Sequence, residues 1–138
     1  MITVLFACVH NAGRSQMAAA FFNRLADASK ARAVSAGTEP AARVHAEVIA
    51  AMRDAGVDLS SASPRKLTQE LAAAADLLIT MGCGEACPVL PSREVVDWAV
   101  PDPKGQPSLR VAVIRDEIRE RVRALVAERG WANRDRED

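Results

Sequence analysis

A short segment near the N-terminus combines residue types that can hold and attack an anion. It reads Cys8-Val-His-Asn-Ala-Gly-Arg14 and is followed by Ser15. The residues between the cysteine and the arginine let successive backbone N–H groups turn inward around one anion. The guanidinium adds a planar fork of donors that matches two oxygens of a tetrahedral oxyanion. The predicted oxyanion-binding residues are Val9, His10, Asn11, Ala12, Gly13, Arg14 and Ser15.

Cys8 would lie at the base of this loop, where the local positive potential stabilises a thiolate that can act as a nucleophile. The Ser15 hydroxyl could donate a hydrogen bond to the sulfur, and Asn11 could brace the loop through its amide. Gly13 would allow the backbone to curl tightly. The alternative is a buried cysteine at a strand end and a surface arginine on a helix. An apolar strand before the loop and an amphipathic helix after it favour the catalytic interpretation.

Strand and helix patterns alternate along the chain. Ile2–Ala7 is a nearly continuous apolar run, typical of a strand that is buried on both faces. Ser15–Ser29 has apolar residues at 17, 18, 21, 22 and 25, which is helical spacing. By the same criteria we predict strands at Ala33–Ala36, Asp76–Met81 and Val95–Val100, and helices at Val44–Ala55, Leu67–Ala75 and Ser108–Arg129.

This alternation predicts a single α/β domain with a parallel sheet and helices on both faces, because crossovers between parallel strands are right-handed. Such sheets bind their ligands beyond the carboxyl ends of the strands. The loop after the first strand lies at that edge. We assign residues 1–132 to the domain and the polar residues 133–138 to a C-terminal tail.

Composition argues against several classes of function. The 18 basic and 18 acidic residues balance, whereas a nucleic-acid binder carries a basic excess. No apolar run approaches the ~20 residues that span a bilayer, and Ile2–Cys8 is too short for the core of a signal peptide. The 3 cysteines are few and odd in number for a disulfide-stapled secreted domain. We therefore expect a cytoplasmic protein with reduced thiols that binds neither nucleic acid nor membranes.

Several further segments accompany the anion loop. They read VLFACVHNAGRSQMAAAFF near the start, SAGT at 35–38, GVDLS at 56–60, DLLITMGCGEACP at 76–88 and DWAVPDPKG at 97–105. Together they resemble the arsenate reductases built on the low-molecular-weight protein tyrosine phosphatase fold, over nearly the whole domain and in the right order. The resemblance implies a four-stranded parallel sheet in the order 2-1-3-4.

The chain departs from this family's pattern at two positions. Ala19 stands where some members carry an acidic residue that helps to hold a potassium ion. Gly13 stands where members often carry a cysteine. The combination of His10, Ala12 and Gly13 resembles the actinobacterial branch, in which some members use the low-molecular-weight thiol mycothiol as their reductant.

The resemblance also implies a redox pair. In the order 2-1-3-4 the first and third strands are neighbours, so Cys8 and Cys83 follow strands that end at the same edge. Cys83 and Cys87 are four residues apart, which leaves Cβ atoms ~5–6 Å apart on a regular helix, against ~3.8 Å in a disulfide. Closure of this pair therefore needs local unwinding, for which Gly82, Gly84 and Pro88 make this segment a suitable place.

Two other interpretations of these cysteines stay open. They could be incidental thiols, or they could bind zinc together with His10 and His45. Neither histidine has the spacing of a zinc ligand, and we expect no metal.

Asp102 lies between two prolines that restrict its backbone. The resemblance implies that it is a general acid that protonates a leaving oxygen at the mouth of the loop. The alternative is a turn-forming aspartate, for which Asp-Pro is a common signal. We expect His45, at the start of a helix, to be exposed, and we expect Trp98 and Trp131 to be packing residues.

The reaction that the resemblance implies is the reduction of arsenate to arsenite. Cys8 attacks arsenic, Asp102 protonates the departing oxygen, Cys83 then attacks Cys8, and Cys87 attacks Cys83. An external thiol, thioredoxin or mycothiol/bacillithiol, would reduce the final disulfide, with no bound cofactor. Phosphate and sulfate would compete as oxyanions, and we expect a monomer.

Two alternative functions use the same loop. One is a low-molecular-weight phosphomonoester or protein tyrosine phosphatase with Cys8 as nucleophile and Asp102 as acid. Such members usually have proline at the position of Gln16, and tyrosines after the Asp-Pro where this chain has Lys104-Gly105; this chain has no tyrosine. The other is a non-catalytic oxyanion or redox sensor, which the presence of both a nucleophile and an acid disfavours.

Overall fold

The computed structural model describes residues 1–83 and 94–133. Four strands form one parallel sheet in the order β2-β1-β3-β4, which confirms the order that the sequence resemblance implied. They are β1 (Ile2–Cys8), β2 (Ala31–Gly37), β3 (Leu77–Thr80) and β4 (Glu94–Asp97). The register pairs Cys8 with Gly37 and Ala7 with Thr80. The segments that follow β1, β2 and β3 therefore leave the sheet at one edge.

In the part of the chain that the structure describes, four helices cover the sheet, and both faces are covered as predicted. They are α1 (Arg14–Leu25), α2 (Ala46–Asp54), α3 (Gln69–Ala74) and α4 (Ser108–Glu128). Apolar residues of α1, α2 and α4 share one core cluster, whereas α3 packs on the other face. In the described part of the chain, none of these helices is long and apolar enough to cross a membrane.

β1 is buried on both faces because its side chains alternate between two core clusters. Val4 and Phe6 pack in the larger cluster, while Leu5 and Ala7 pack in the smaller one. The Phe6 ring lies 5.6 Å from the Trp98 ring and 6.0 Å from the Phe22 ring, measured between centroids. Trp131 lies 6.0 Å from Phe22 on the same measure. The predicted packing role of both tryptophans is confirmed.

Most element boundaries differ from the sequence prediction by one or two residues, and the largest differences are at the ends of α1 and β4. α1 ends at Leu25 instead of Ser29, because the Asp27 carboxylate accepts hydrogen bonds from the Ser29 N–H (3.0 Å) and hydroxyl (2.7 Å) and so forms a turn. β4 ends at Asp97, so the residues that follow extend beyond the ladder toward the site. Of the predicted tail 133–138, only Asn133 is described; its N–H donates to the Leu25 carbonyl at 2.8 Å.

Candidate active site

The anion loop follows β1 directly, and its carbonyl groups are held by neighbouring segments. Hydrogen bonds of 2.8–3.1 Å run to the carbonyls of Cys8, Val9, His10 and Ala12, donated by the N–H groups of Thr38, Glu39, Ala41 and His45. None of these bonds uses an N–H of residues 9–13, so within the described residues those donors stay available to an anion. Unused N–H donors of this kind are what a backbone nest presents to an anion.

The helix that follows the anion loop adds a positive electrostatic potential to these donors. α1 begins at Arg14 with Gly13 as its N-cap, and no side chain caps its first turn. Free N–H groups and the positive end of the helix dipole therefore face the loop. The helix was predicted from the apolar spacing after Arg14, and it begins one residue before the predicted start at Ser15.

Asn11 occupies the left-handed position of the loop, with φ 49°. Its side chain is fully buried and donates from Nδ2 to the Ser15 hydroxyl at 2.7 Å. The Ser15 oxygen lies 2.8 Å from the Cys8 sulfur. Because Asn11 donates to this oxygen, the hydroxyl proton is free to point at the sulfur, where it would stabilise a thiolate. The Asn11 amide thus contacts Ser15 from the left-handed position of the loop.

A second layer of contacts holds Asn11 itself. Its Oδ1 accepts from the Arg65 N–H at 3.0 Å and from Gln16 Nε2 at 3.2 Å. Gln16 is buried and also donates to the Ser63 carbonyl at 3.2 Å. These acceptor contacts fix the orientation of the Asn11 amide, so its NH₂ group must face Ser15. From the sequence, Gln16 was distinctive only as a departure from the phosphatase pattern, and its bracing role was not predicted.

Arg14 is buried between the ends of β3 and β4. Its Nη1 donates to the Val100 carbonyl at 3.2 Å, and its Nη2 lies 3.7 Å from Asp102 Oδ2. Its buried Nε has no partner among the described residues, which leaves a donor for an oxyanion. Gly82, at φ +95°, sits so close to the guanidinium that a Cβ there would overlap Nη1. The arginine is therefore held in place by contacts from two strand ends.

Asp102 lies on a loop that packs against the anion loop. Pro103 is buried, and a Cβ at Gly13 would lie 2.9 Å from its Cγ. Asp102 Oδ1 accepts from the Lys104 N–H at 3.0 Å, and its side chain is 44% exposed. The aspartate is thus both in a turn and beside Arg14, so the turn-forming interpretation and a role at the site are compatible. The close contact with Pro103 explains why residue 13 is glycine.

The first turn of α2 contributes two residues at this mouth. His45, the N-cap of α2, is half-buried, and its Cδ2 would lie 3.7 Å from a Cβ at Gly13. The expectation that His45 is exposed was therefore wrong, because the turn packs on the anion loop. Glu47 Oε2 accepts from the Gly105 N–H at 3.0 Å. Hydrogen bonds from its own N–H and from Gly105 lower the pKa of Glu47. No sequence pattern singled out Glu47.

The structure brings Cys83 to the same sheet edge as Cys8 but on the other face. Cys83 follows β3, is buried, and its sulfur lies 4.0 Å from the Ala7 carbonyl oxygen. It packs in the smaller core cluster with Leu5 and Ala7, whereas the free thiol Cys8 packs in the larger one. Cys87 lies outside the described residues. Among the residues that are described, no group of three or more histidine, cysteine or acidic side chains could hold a metal ion.

The family model for the low molecular weight phosphotyrosine protein phosphatase matches residues 3–130. The chain belongs to this family. Within it, the relatives are similar over most of their length. A Halobacterium salinarum protein, provisionally named an arsenate reductase, is 40% identical over 85% of each chain. A glutaredoxin arsenate reductase of a Synechocystis strain is 35% identical, over 92% of this chain and 98% of its own.

One solved structure of the family is a thioredoxin-dependent arsenate reductase from Corynebacterium glutamicum. It superposes with a TM-score of 0.79 at 39% sequence identity and covers 93% of this chain. The match spans 61% of the Corynebacterium chain, so that protein is longer than the shared domain.

Proposed function

We propose that the protein is an enzyme that reduces arsenate to arsenite, with Cys8 as its nucleophile. The observation that carries the proposal is the free Cys8 thiol beside a loop whose N–H groups make no hydrogen bond among the described residues, with Ser15 positioned to donate to the sulfur. Arsenate is a tetrahedral oxyanion, and the Arg14 guanidinium supplies the matching fork of donors. The similarity to proteins named arsenate reductases favours arsenate over other oxyanions.

In the first step the Cys8 thiolate attacks arsenic, an As–S bond forms, and one oxygen departs. Asp102, beside Arg14 at the mouth of the loop, would donate the proton that turns this oxygen into water. Backbone N–H groups and Arg14 would stabilise the charge that develops on the remaining oxygens. Arsenic stays pentavalent in this step and is now covalently attached to the Cys8 sulfur.

In the second step a thiolate attacks the Cys8 sulfur, and the electron pair of the As–S bond stays with arsenic. The products are arsenite and a disulfide at Cys8. We assign this attack to Cys83, which gives a Cys8–Cys83 disulfide. In this structure Cys83 is disulfide-bonded, so it can attack only after that bond has been reduced. Because Cys8 and Cys83 pack in different core clusters, Cys83 must also move to reach Cys8.

In the third step we assign the attack on Cys83 to Cys87, which frees Cys8 and leaves a Cys83–Cys87 disulfide. An external thiol then supplies two electrons to reduce it. Thioredoxin, a glutaredoxin system, mycothiol and bacillithiol are all chemically competent donors. We place the enzyme in the cytoplasm, where such donors keep thiols reduced.

The test is arsenate-dependent NADPH oxidation, measured separately with thioredoxin and its reductase and with low-molecular-weight thiol systems. Cys8→Ser should abolish turnover. Cys83→Ser should stop at the arsenic adduct when thioredoxin is the donor. Cys87→Ser should release one equivalent of arsenite and then accumulate a Cys8–Cys83 disulfide, which mass spectrometry of the alkylated and digested protein can identify.

Two outcomes would contradict the proposal. If Cys83→Ser and Cys87→Ser both keep full turnover with a low-molecular-weight thiol, that thiol attacks the adduct directly and the internal relay is wrong. If the wild-type protein hydrolyses aryl phosphates but leaves arsenate untouched, it is a phosphatase.

A further inference from the structure

The loop that carries Asp102 is attached to the rest of the site on both sides of the aspartate. On the N-terminal side, the Val100 carbonyl accepts from Arg14 at 3.2 Å. At the centre, buried Pro103 packs on Gly13. On the C-terminal side, the Gly105 N–H donates to Glu47 at 3.0 Å. Two of these attachments are made to residues of the anion loop, Arg14 and Gly13. The third is made to the side chain of Glu47, which lies outside that loop.

Glu47 is well placed to link this loop to the anion loop. It lies in the first turn of α2, and the N-cap of that helix, His45, donates its N–H to the Ala12 carbonyl at 3.0 Å. A single turn of helix therefore contacts the anion loop through its backbone and the Asp102 loop through a side chain. Gly105 adopts φ +71°, so the chain turns sharply where Glu47 holds it.

Glu47 is ionised when it makes this contact. Its own N–H and that of Gly105 lower its pKa, and His45 adds to this effect, while the nearby Asp102 opposes it. A charged acceptor makes a hydrogen bond that is stronger than one between neutral groups.

We propose that Glu47 is a positioning residue for the general acid: it holds the 102–105 loop so that the Asp102 carboxylate stays beside Arg14 at the mouth of the anion loop. The inference rests on the proposed function, because it assigns Glu47 an effect on proton donation by Asp102. Glu47 itself does not contact the reacting atoms. Its contribution is to keep the acid within reach of the departing oxygen.

Substitutions in α2 separate this role from simple support of the helix. Glu47→Ala should lower kcat for arsenate about tenfold, a part of what a general acid contributes, with KM changed less than about twofold. Glu47→Gln keeps a carbonyl oxygen for Gly105 and should retain most of kcat. Asp54→Ala, at the exposed end of the same helix, is the matched control and should leave both constants unchanged. Equal kcat in wild type and Glu47→Ala would overturn the inference.

A double-mutant cycle tests whether Glu47 acts through Asp102. In an Asp102→Asn background the acid is already lost, so adding Glu47→Ala should lower kcat by less than about twofold. A further tenfold loss in that background would mean that Glu47 works by another route, and the inference would be wrong.

A measurement that needs no turnover separates this inference from the proposed function. Amide hydrogen exchange at Gly105 should become about tenfold faster in Glu47→Ala and stay unchanged in Asp54→Ala. Unchanged exchange at Gly105 in Glu47→Ala overturns the inference whatever the activity. A wild-type protein that shows no arsenate turnover refutes the proposed function, and Gly105 exchange then still decides whether Glu47 holds the loop.

Discussion

Asn11 shows how one residue can serve both backbone and chemistry. Asparagine tolerates the left-handed conformation better than most residues, which suits its φ of 49° in the turn of the anion loop. Its amide simultaneously accepts from Arg65 and donates to Ser15, which lies against the Cys8 sulfur. The position therefore needs an amide that both accepts and donates, and not only a residue that can turn.

Arg14 should not be replaceable by lysine. Its guanidinium contacts Val100 and Asp102, while its Nε has no partner among the described residues and can donate to an oxyanion. An ammonium group cannot reproduce this geometry. We expect Arg14→Lys to lower kcat/KM for arsenate by about 10²-fold or more. Steady-state kinetics would measure it, with Arg53→Lys on the exposed side of α2 as the control. Near-normal kinetics of Arg14→Lys would refute the bidentate role.

Gly82 should matter for the site beyond its backbone conformation. Gly82→Ala places a Cβ against Arg14 in a residue with φ +95°, whereas Gly130→Ala, at φ +74°, meets no atom within 4 Å. Both variants should lose about 1 kcal/mol or more of unfolding free energy in urea, because alanine is strained at positive φ. Only Gly82→Ala should also raise KM for arsenate. An equal KM in the two variants would show that Arg14 is not displaced.

At the scale of elements, the site is assembled from segments that leave the sheet at one edge. β1 leads into the anion loop, β3 leads to Gly82 and Cys83, and the extension after β4 leads to Asp102. The first turn of α2 contacts two of these segments from outside the sheet. Parallel strands make this convergence possible, because their carboxyl ends meet at the same edge.

The edge strand β4 is linked to α4 by an ion pair whose effect should depend on pH. Two hydrogen bonds from Arg129, one of them 3.0 Å from Nη1 to Oε1, lower the pKa of Glu94. A carboxyl group whose pKa is lower in the folded state than in the unfolded state stabilises the fold. This stabilisation is fully present at pH values above the usual glutamate pKa of about 4.3. This stabilisation is lost as the pH falls through the lowered value.

Glu94→Gln should therefore lower the unfolding free energy at pH 7 by up to about 1 kcal/mol, since the pair is half-exposed. The difference from wild type should shrink as the pH is lowered below 4.3. Urea unfolding followed by circular dichroism at several pH values would measure it, with Asp54→Asn as the control. A difference that does not change with pH would exclude the ion pair as its cause.

At the scale of the molecule, the described residues form two core clusters of unequal size on the two faces of one sheet. The larger cluster holds Cys8 and joins α1, α2 and α4, and the smaller one holds Cys83 beneath α3. The anion loop is bonded through its carbonyls to segments from several parts of the chain. Binding of an oxyanion should therefore stabilise the whole fold by mass action.

Inorganic phosphate, as a competing oxyanion, should raise Tm. At a concentration of 100 times Kd, binding adds about 2.7 kcal/mol, which corresponds to a shift of roughly 5–10 °C for a chain of this size. Differential scanning calorimetry at matched ionic strength with chloride would measure it. Arg14→Lys should lose most of the shift, and an absent shift in the wild-type protein would argue against the anion site.

The sequence alone was sufficient for the features that depend on neighbouring residues. Apolar periodicity predicted the strands and helices, and the spacing of Cys8 and Arg14 led to the prediction of an anion loop in the segment that joins β1 to α1. Ser15 was also predicted to donate to Cys8, and Asn11 to brace the loop, because both lie in or directly after the Cys8–Arg14 segment. The order of the strands followed from resemblance and not from periodicity, since local patterns carry no information on which strands pair.

Tertiary structure alone decided the contacts between residues that are distant in the chain. Glu47 meets Gly105 across 58 positions, and Gln16 meets Ser63 across 47. Neither pair has a local pattern, because each depends on how α2 and the loops pack on the sheet edge. The face of the sheet on which each cysteine packs was also decided by tertiary structure. The sequence placed Cys8 and Cys83 at one edge of the sheet. The alternation of side chains along β1 and the packing after β3 put the two sulfurs in different core clusters.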